Sequence, residues 1–301
     1  MPVQARYSDR ACLRVGPGPA FMAVRPVQTG EKPAITHIGY SVENFDLKAV
    51  QAALESRGFS RIEAPALSAP GIDNAMKMWV RMRAETPELY FSDERGLIVQ
   101  LSDTSYCGGS GALGNQCKVE TAPKGIFELT QISHFTAFVS DGAAANAFYQ
   151  NIFGLEVQAY QGPGSQVTGI GDGKQFVMYG GGGGGGAPGG GAPAAGGAAA
   201  APAPARKTPA SLNHGCFNMT SFKVDDILAK LTTYGLKARP DGTQAGPLMH
   251  YISLRQPNRG GAEGGTPELY FTDPDGILMQ LQDVSYCGGG GYLGDVCLKK
   301  G

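Results

Sequence analysis

The chain has 301 residues, 42% of them hydrophobic, with a formal net charge of -1 and a pI of about 6.4. That length exceeds one ordinary core and accommodates two domains. Without a basic stripe nucleic acid is excluded as a partner, and no run reaches the roughly 18 apolar residues that a membrane-spanning helix needs.

Residues 1–19 place no apolar stretch after a basic start, so no signal peptide is expected in them. The short segment VGPGPAF (15–21) has a partner further along the chain. THIGYSVENFDLKAVQAALESRGF (36–59) predicts a strand, a turn and a helix, with Leu47, Val50 and Leu54 spaced three and four apart and Gly58 at the helix end. Strands follow, closing in TPELYFSDERGLIVQLSDTSYCGGSGALGNQC (86–117), and a join covers 119–131.

A further strand–helix–strands pattern runs over 132–180. Its IGDGKQF matches VGPGPAF, with Gly171 on Gly16, Gly173 on Gly18 and Phe176 on Phe21. Residues 180–205 are only Gly, Ala and Pro, a flexible linker that buries no core. NHGCFNMTSFKVDDILAKLTTYGL (213–236) then aligns without gaps on the segment from 36, His214 on His37, with Val224, Ile227 and Leu231 as the helix's apolar positions. TPELYFTDPDGILMQLQDVSYCGGGGYLGDVC (266–297) repeats 86–117, with a turn at Asp273–Gly276. The expected architecture is α+β, built of tandem paired β-α-β-β-β modules of which the first is incomplete. The expected domains are 1–118, the join 119–131, and 132–301 with its linker at 180–205. The incomplete first module points to a homo-oligomer or to strand or domain exchange with another copy.

Four cysteines recur in the frame C-G-G-x-G-x-L-G-x-x-C, as Cys107/Cys117 and Cys287/Cys297. The glycine-rich loops are flexible enough to close as disulfides, each stabilising its copy by about 2–3 kcal/mol. Disulfides favour an exported, periplasmic or extracellular protein; free thiols in a reducing cytosol are the alternative. The sequence leaves open whether Cys12 and Cys216 meet.

Paired β-α-β-β-β units, a histidine in the first strand and F-x-D-P-D-G before the last strand resemble the vicinal oxygen chelate superfamily, which includes glyoxalase I, bleomycin-resistance proteins and type I extradiol ring-cleaving dioxygenases. The resemblance implies eight strands curled around each cleft and a divalent metal, Fe²⁺ before Mn²⁺ or Zn²⁺, held in the C-terminal half by His134, His214 and Gln280. Val177 falls near the remaining last-strand position. The layout is closest to the extradiol dioxygenases, with Gln280 where their glutamate stands and Tyr270 where a tyrosine orients the substrate. Their catalytic histidine has no counterpart just before Tyr270; His250 is the spare acid/base candidate. The N-terminal copy keeps His37, Tyr90 and Gln100, has Met22 at the remaining position, and reads as structural.

Two residues before Tyr270, Glu268 shares its strand face and is a candidate for the missing carboxylate. Gln100 and Gln280 also read as hydrogen-bonding residues of the sheet, and Tyr90 and Tyr270 as strand formers. The leading expectation is a metal-dependent enzyme on a small oxygenated organic substrate. A metal-free small-molecule binder of the bleomycin-resistance type and a secreted assembly protein are the alternatives.

Overall fold

The computed structural model describes residues 1–65, 72–180 and 209–298. The Gly/Ala/Pro stretch expected as a linker lies, beyond Gly180, outside the described residues. The chain divides into two compact units, Met1–Ile132 with Phe217–Thr220, and Ser133–Cys216 with Ser221–Gly301.

The first unit opens with a three-stranded antiparallel sheet of β1 (Val3–Arg6), β2 (Ala11–Arg14) and β3 (Phe21–Val24). Then come β4 (Ile38–Val42), α1 (Leu47–Glu55), β5 (Ser60–Arg61), β6 (Lys77–Arg83), β7 (Thr86–Ser92) and β8 (Ile98–Asp103), in a sheet of order β4-β8-β7-β6-β5. Asp46 caps α1, its side chain accepting from the Ala49 N–H at 2.7 Å. The β7–β8 turn is set by Asp93, which accepts from the N–H groups of Arg95 and Leu97.

β9 (Leu129–Phe138) enters the second unit at Ser133 and is followed by α2 (Gly142–Phe153), β10 (Val157–Tyr160), β11 (Gln166–Ile170) and β12 (Gln175–Gly180). That unit's second module is β13 (Ser211–Met219), α3 (Val224–Thr233), β14 (Lys237–Ala238), β15 (Met249–Arg255), β16 (Thr266–Thr272) and β17 (Leu278–Asp283). All nine strands join in one sheet, β10-β11-β12-β9-β13-β17-β16-β15-β14. The expected eight are present, and the two-residue β14 adds a ninth. Asp141 caps α2, and Gly154 ends it in the left-handed conformation. Asp273 sets the β16–β17 turn as Asp93 does its counterpart.

The sheet β1–β3 corresponds to β10–β12. Gln4 Nε2 donates to the Cys107 carbonyl as Gln158 Nε2 donates to that of Cys287, and Phe21 lies against Tyr106 as Phe176 does against Tyr286. Counterparts of β9 and α2 are missing from the described residues before β1. Disulfides join Cys107 to Cys117 and Cys287 to Cys297, each with Cα atoms 6.3 Å apart. Each loop requires glycine: a Cβ at Gly289 collides with the Val296 carbonyl and the Cys297 sulfur. Cys12 and Cys216 are buried and belong to neither disulfide.

Candidate functional site

In the second unit, alternation along neighbouring strands turns one row of polar and aromatic side chains to the same face. The antiparallel register pairs Tyr251 with Tyr270 and Tyr270 with Gln280, across β15, β16 and β17. His134 on β9 and His214 on β13 enter the same group: their rings lie 5.6 Å apart, nearly perpendicular. His134 Nε2 is 3.1 Å from Gln280 Oε1. All three residues are buried, at 4%, 4% and 1% exposure. The parallel register of β12 with β9 pairs Phe176 with His134, and the two rings stack at 4.2 Å. Val177, the position expected from sequence, pairs with Phe135 instead; a shift of one residue changes the face.

Neighbouring side chains set the orientation of each imidazole. His214 Nδ1 lies 2.7 Å from Asn213 Oδ1, an acceptor, so Nδ1 carries the proton and Nε2 presents a lone pair. That Nε2 is buried with no hydrogen-bond partner, and so is Gln280 Nε2. Gln280 Oε1 is likewise an acceptor, so His134 Nε2 carries the proton in this arrangement; a cation there requires the other tautomer, with the proton on Nδ1 facing Ser133 Oγ at 3.2 Å. Burial lowers the His214 pKa to about 4, against the opposing influence of the nearby Gln280 amide. Burial also holds His134 well below the usual imidazole range, with His214 adding to the effect. Both rings are therefore neutral at pH 7.

Tyr270 meets His214 edge-on at 5.3 Å and stacks on Tyr251 at 4.9 Å. Burial, with the Glu268 carboxylate nearby, pushes its hydroxyl well above the usual tyrosine range. Glu268 does turn inward beside Tyr270, at 5% exposure, but its oxygens are occupied. Oε1 accepts from Arg255 Nε at 2.9 Å and from the Tyr286 hydroxyl at 3.3 Å; Oε2 accepts from the Tyr270 hydroxyl at 3.4 Å. With Arg255 paired to it, Glu268 is no spare carboxylate for a cation. His250 stands one residue before Tyr251 on β15, so it points to the other face, where its Nε2 lies 3.1 Å from Thr232 Oγ1 on α3. His250 is thus placed away from His134, His214 and Gln280.

The first unit repeats this arrangement with one histidine. His37 meets Tyr90 edge-on at 5.4 Å, Tyr90 stacks on Trp79, and Tyr90 pairs with Gln100 across β7 and β8. Glu88 accepts from Arg83 Nε at 2.8 Å and from the hydroxyls of Tyr106 and Tyr90. Sequence reasoning missed the arginines and the second tyrosine of each network. The signal was there: Arg83 and Arg255 occupy the same place in the repeat, and a tyrosine precedes Cys107 and Cys287.

Among the described residues no cluster of three His, Cys, Asp or Glu side chains can hold a metal ion. The group here is two neutral imidazoles and an amide oxygen. Bonds of about 2.0–2.2 Å meeting at right angles separate two donors by about 3 Å, which is the spacing of His134 Nε2 and Gln280 Oε1. The unpartnered lone pair of His214 is available as a third donor, and imidazole suits zinc or iron. The donor set therefore fits a divalent ion, with no negative charge contributed by the protein.

A family model described as the glyoxalase/bleomycin resistance protein/dioxygenase superfamily matches residues 131–281. Similar solved structures include a catechol 2,3-dioxygenase, with TM-score 0.53 and 14% identity over 97% of this chain and 79% of that one. The Mn(II)-bound glyoxalase from Novosphingobium aromaticivorans gives 0.51 and 15%, over 93% and 72%. The 2,2',3-trihydroxybiphenyl 1,2-dioxygenase from Sphingomonas wittichii strain RW1 gives 0.50 and 14%, over 96% and 80%. No curated protein matches the chain. At these identities the structural likeness speaks for the fold.

Proposed function

The chain belongs to the glyoxalase/bleomycin resistance protein/dioxygenase superfamily, and from that premise we propose that its second unit is a divalent-metal centre for a small organic substrate with adjacent oxygens, in the manner of a ring-cleaving dioxygenase. One observation carries the reading: His134 Nε2 lies 3.1 Å from Gln280 Oε1, the His214 ring lies 5.6 Å from that of His134, and the buried His214 Nε2 has no hydrogen-bond partner. A bound ion, Fe²⁺ before Mn²⁺ or Zn²⁺, supplies Lewis-acid polarisation of substrate oxygens. His134 and His214 hold it, and Gln280 completes the set. Tyr270, kept protonated by burial, would exchange its long 3.4 Å bond to Glu268 for one to a substrate oxygen. The two disulfides fit an oxidising compartment, so the reading places the protein outside the cytosol.

The test is metal content by mass spectrometry on protein purified without chelator, beside the His134→Ala/His214→Ala variant. About one equivalent of metal that disappears in the variant supports the reading; no metal in either protein ends it. A second reading, ligand binding without turnover, is favoured by the occupied state of Glu268 and the position of His250 on the other face. Oxygen uptake by metal-loaded protein with catechols separates the two.

A further inference from the structure

The loop closed by Cys287 and Cys297 reaches the two imidazoles through an unbroken buried chain of contacts. Arg255 is fully buried, and its three donor nitrogens are all used: Nε to Glu268 at 2.9 Å, Nη1 to the Gly260 carbonyl at 3.0 Å, and Nη2 to the Gly289 carbonyl inside the loop at 2.8 Å. Glu268 in turn takes the hydroxyls of Tyr286 and Tyr270. Tyr286, next to Cys287 in sequence, lies 5.7 Å from the His134 ring and 5.8 Å from Phe176, and Tyr270 abuts His214. The loop packs without slack: a Cβ at Gly294 collides with the Tyr286 ring, and one at Gly288 presses on Phe176.

We propose that this disulfide-closed loop is a positioning element of the site, with Arg255, Glu268 and Tyr286 transmitting its conformation to His134 and His214. The proposal rests on the reading of that histidine pair as the functional site. Buried side chains have few alternative rotamers, and ligand precision depends on the groups behind the ligands. Opening the loop removes the anchor of Arg255, and with it the fixed acceptor for both tyrosines. The opening reaction is two-electron reduction by a dithiol: the S–S bond breaks, Cys287 and Cys297 each gain a proton as thiols, and the dithiol leaves as a cyclic disulfide. The site is thereby coupled to the redox state of one disulfide.

The experiment uses the full chain labelled with ¹⁵N-histidine, whose four histidines give few ring-nitrogen signals. Tyr286→Phe keeps the ring against His134 and removes only the hydroxyl that Glu268 accepts. Cys287→Ser/Cys297→Ser opens the loop, and Cys107→Ser/Cys117→Ser opens its counterpart in the first unit. The expected result is that the first two variants shift the His134 and His214 ring signals and leave His37 in place, while the third leaves His134 and His214 unmoved. Unchanged His134 and His214 signals in Tyr286→Phe overturn the proposal, as does an equal shift in the Cys107→Ser/Cys117→Ser control. Should the loop-opened variant lose its amide dispersion, Tyr286→Phe alone decides. Zn(II) titration of the wild type is read separately: signals that ignore Zn(II) remove the metal reading and leave the positioning result standing. Where Zn(II) binds, Tyr286→Phe weakens it about tenfold, the scale of lost outer-shell partners.

Discussion

Replacing Arg255 by Met leaves Glu268 as a buried, unpaired carboxylate and strips two carbonyls, Gly260 and Gly289, of their donor. Breaking a buried ion pair from one side costs about 3–5 kcal/mol. The two orphaned carbonyls push Arg255→Met toward the upper end, about 4–5 kcal/mol. Glu268→Gln leaves the guanidinium without a counter-charge, facing only the two carbonyls and a neutral amide oxygen, at about 3 kcal/mol. Arg255→Met/Glu268→Leu removes both charges, so it recovers at least half of the single-variant loss, although the hydroxyls of Tyr270 and Tyr286 lose their acceptor. The assay is urea unfolding followed by tyrosine near-ultraviolet dichroism. With a slope of about 2 kcal/mol/M, Arg255→Met moves the midpoint down by about 2 M. The single tryptophan, Trp79, belongs to the first unit, and its fluorescence follows that unit as an internal reference. Single variants that each lose under about 1 kcal/mol, the worth of an exposed pair, refute the account of a solvent-free network. So does a double variant no more stable than Arg255→Met.

Acid weakens the fold through imidazoles that folding desolvates, His214 buried and His37 partly buried. His37 and His214 are each lowered to about 4, in both cases chiefly by burial. The unfolded chain takes up these protons near pH 6.5 and the folded chain does not until about 4, so stability falls as pH drops through that window, by about 3 kcal/mol per histidine at full width; a urea midpoint unchanged between pH 7 and 4.5 contradicts the burial. Gly294→Ala puts a Cβ at φ +67° against the Tyr286 ring and Arg255 Nη2, whereas Gly242→Ala, at φ +70°, meets nothing within 4 Å. Both pay about 1–2 kcal/mol for the left-handed backbone, and only Gly294→Ala adds the further 1–3 kcal/mol typical of overpacking, a difference that calorimetric melting reads directly. His250→Ala leaves metal stoichiometry at the His134 site unchanged, because its imidazole contacts α3 on the opposite face; loss of metal in that variant places His250 in the site after all.

The periodicity of Leu47, Val50 and Leu54, and of Val224, Ile227 and Leu231, made both helices legible, and the repeat made the modular fold legible before any coordinates. Alternation also placed Tyr270 and Glu268 on one face, which the strand bears out. The state of Glu268 was not legible, because its partner Arg255 comes from the neighbouring strand and its second donor Tyr286 from the start of a loop. Such pairings depend on register, which one sequence leaves open at single-residue precision. The same limit explains Val177: a gap-free match of glycines carried the alignment to β12, but only the pairing with β9 shows that Phe176 sits against His134. His250 illustrates the converse, since its distance in sequence from Tyr270 says nothing about which face of β15 it takes.

The two units separate what holds this fold from what gives it chemistry. Both carry the Arg–Glu–Tyr–Tyr network and a disulfide loop behind it, so neither feature alone makes a site. The difference lies in what the second tyrosine touches. Tyr106 rests on Phe21 at 5.6 Å, whereas Tyr286 rests on Phe176 and also on His134. In the second unit β9 supplies that histidine between β12 and β13; in the first, no strand among the described residues stands between β3 and β4. The network thus stabilises both units, and in the second it also lies behind a pair of nitrogens. A substitution in Glu88 should therefore cost stability alone, while its counterpart in Glu268 should cost stability and displace His134 and His214. Equal effects on the ring signals of those two histidines from Glu88→Gln and Glu268→Gln contradict that division.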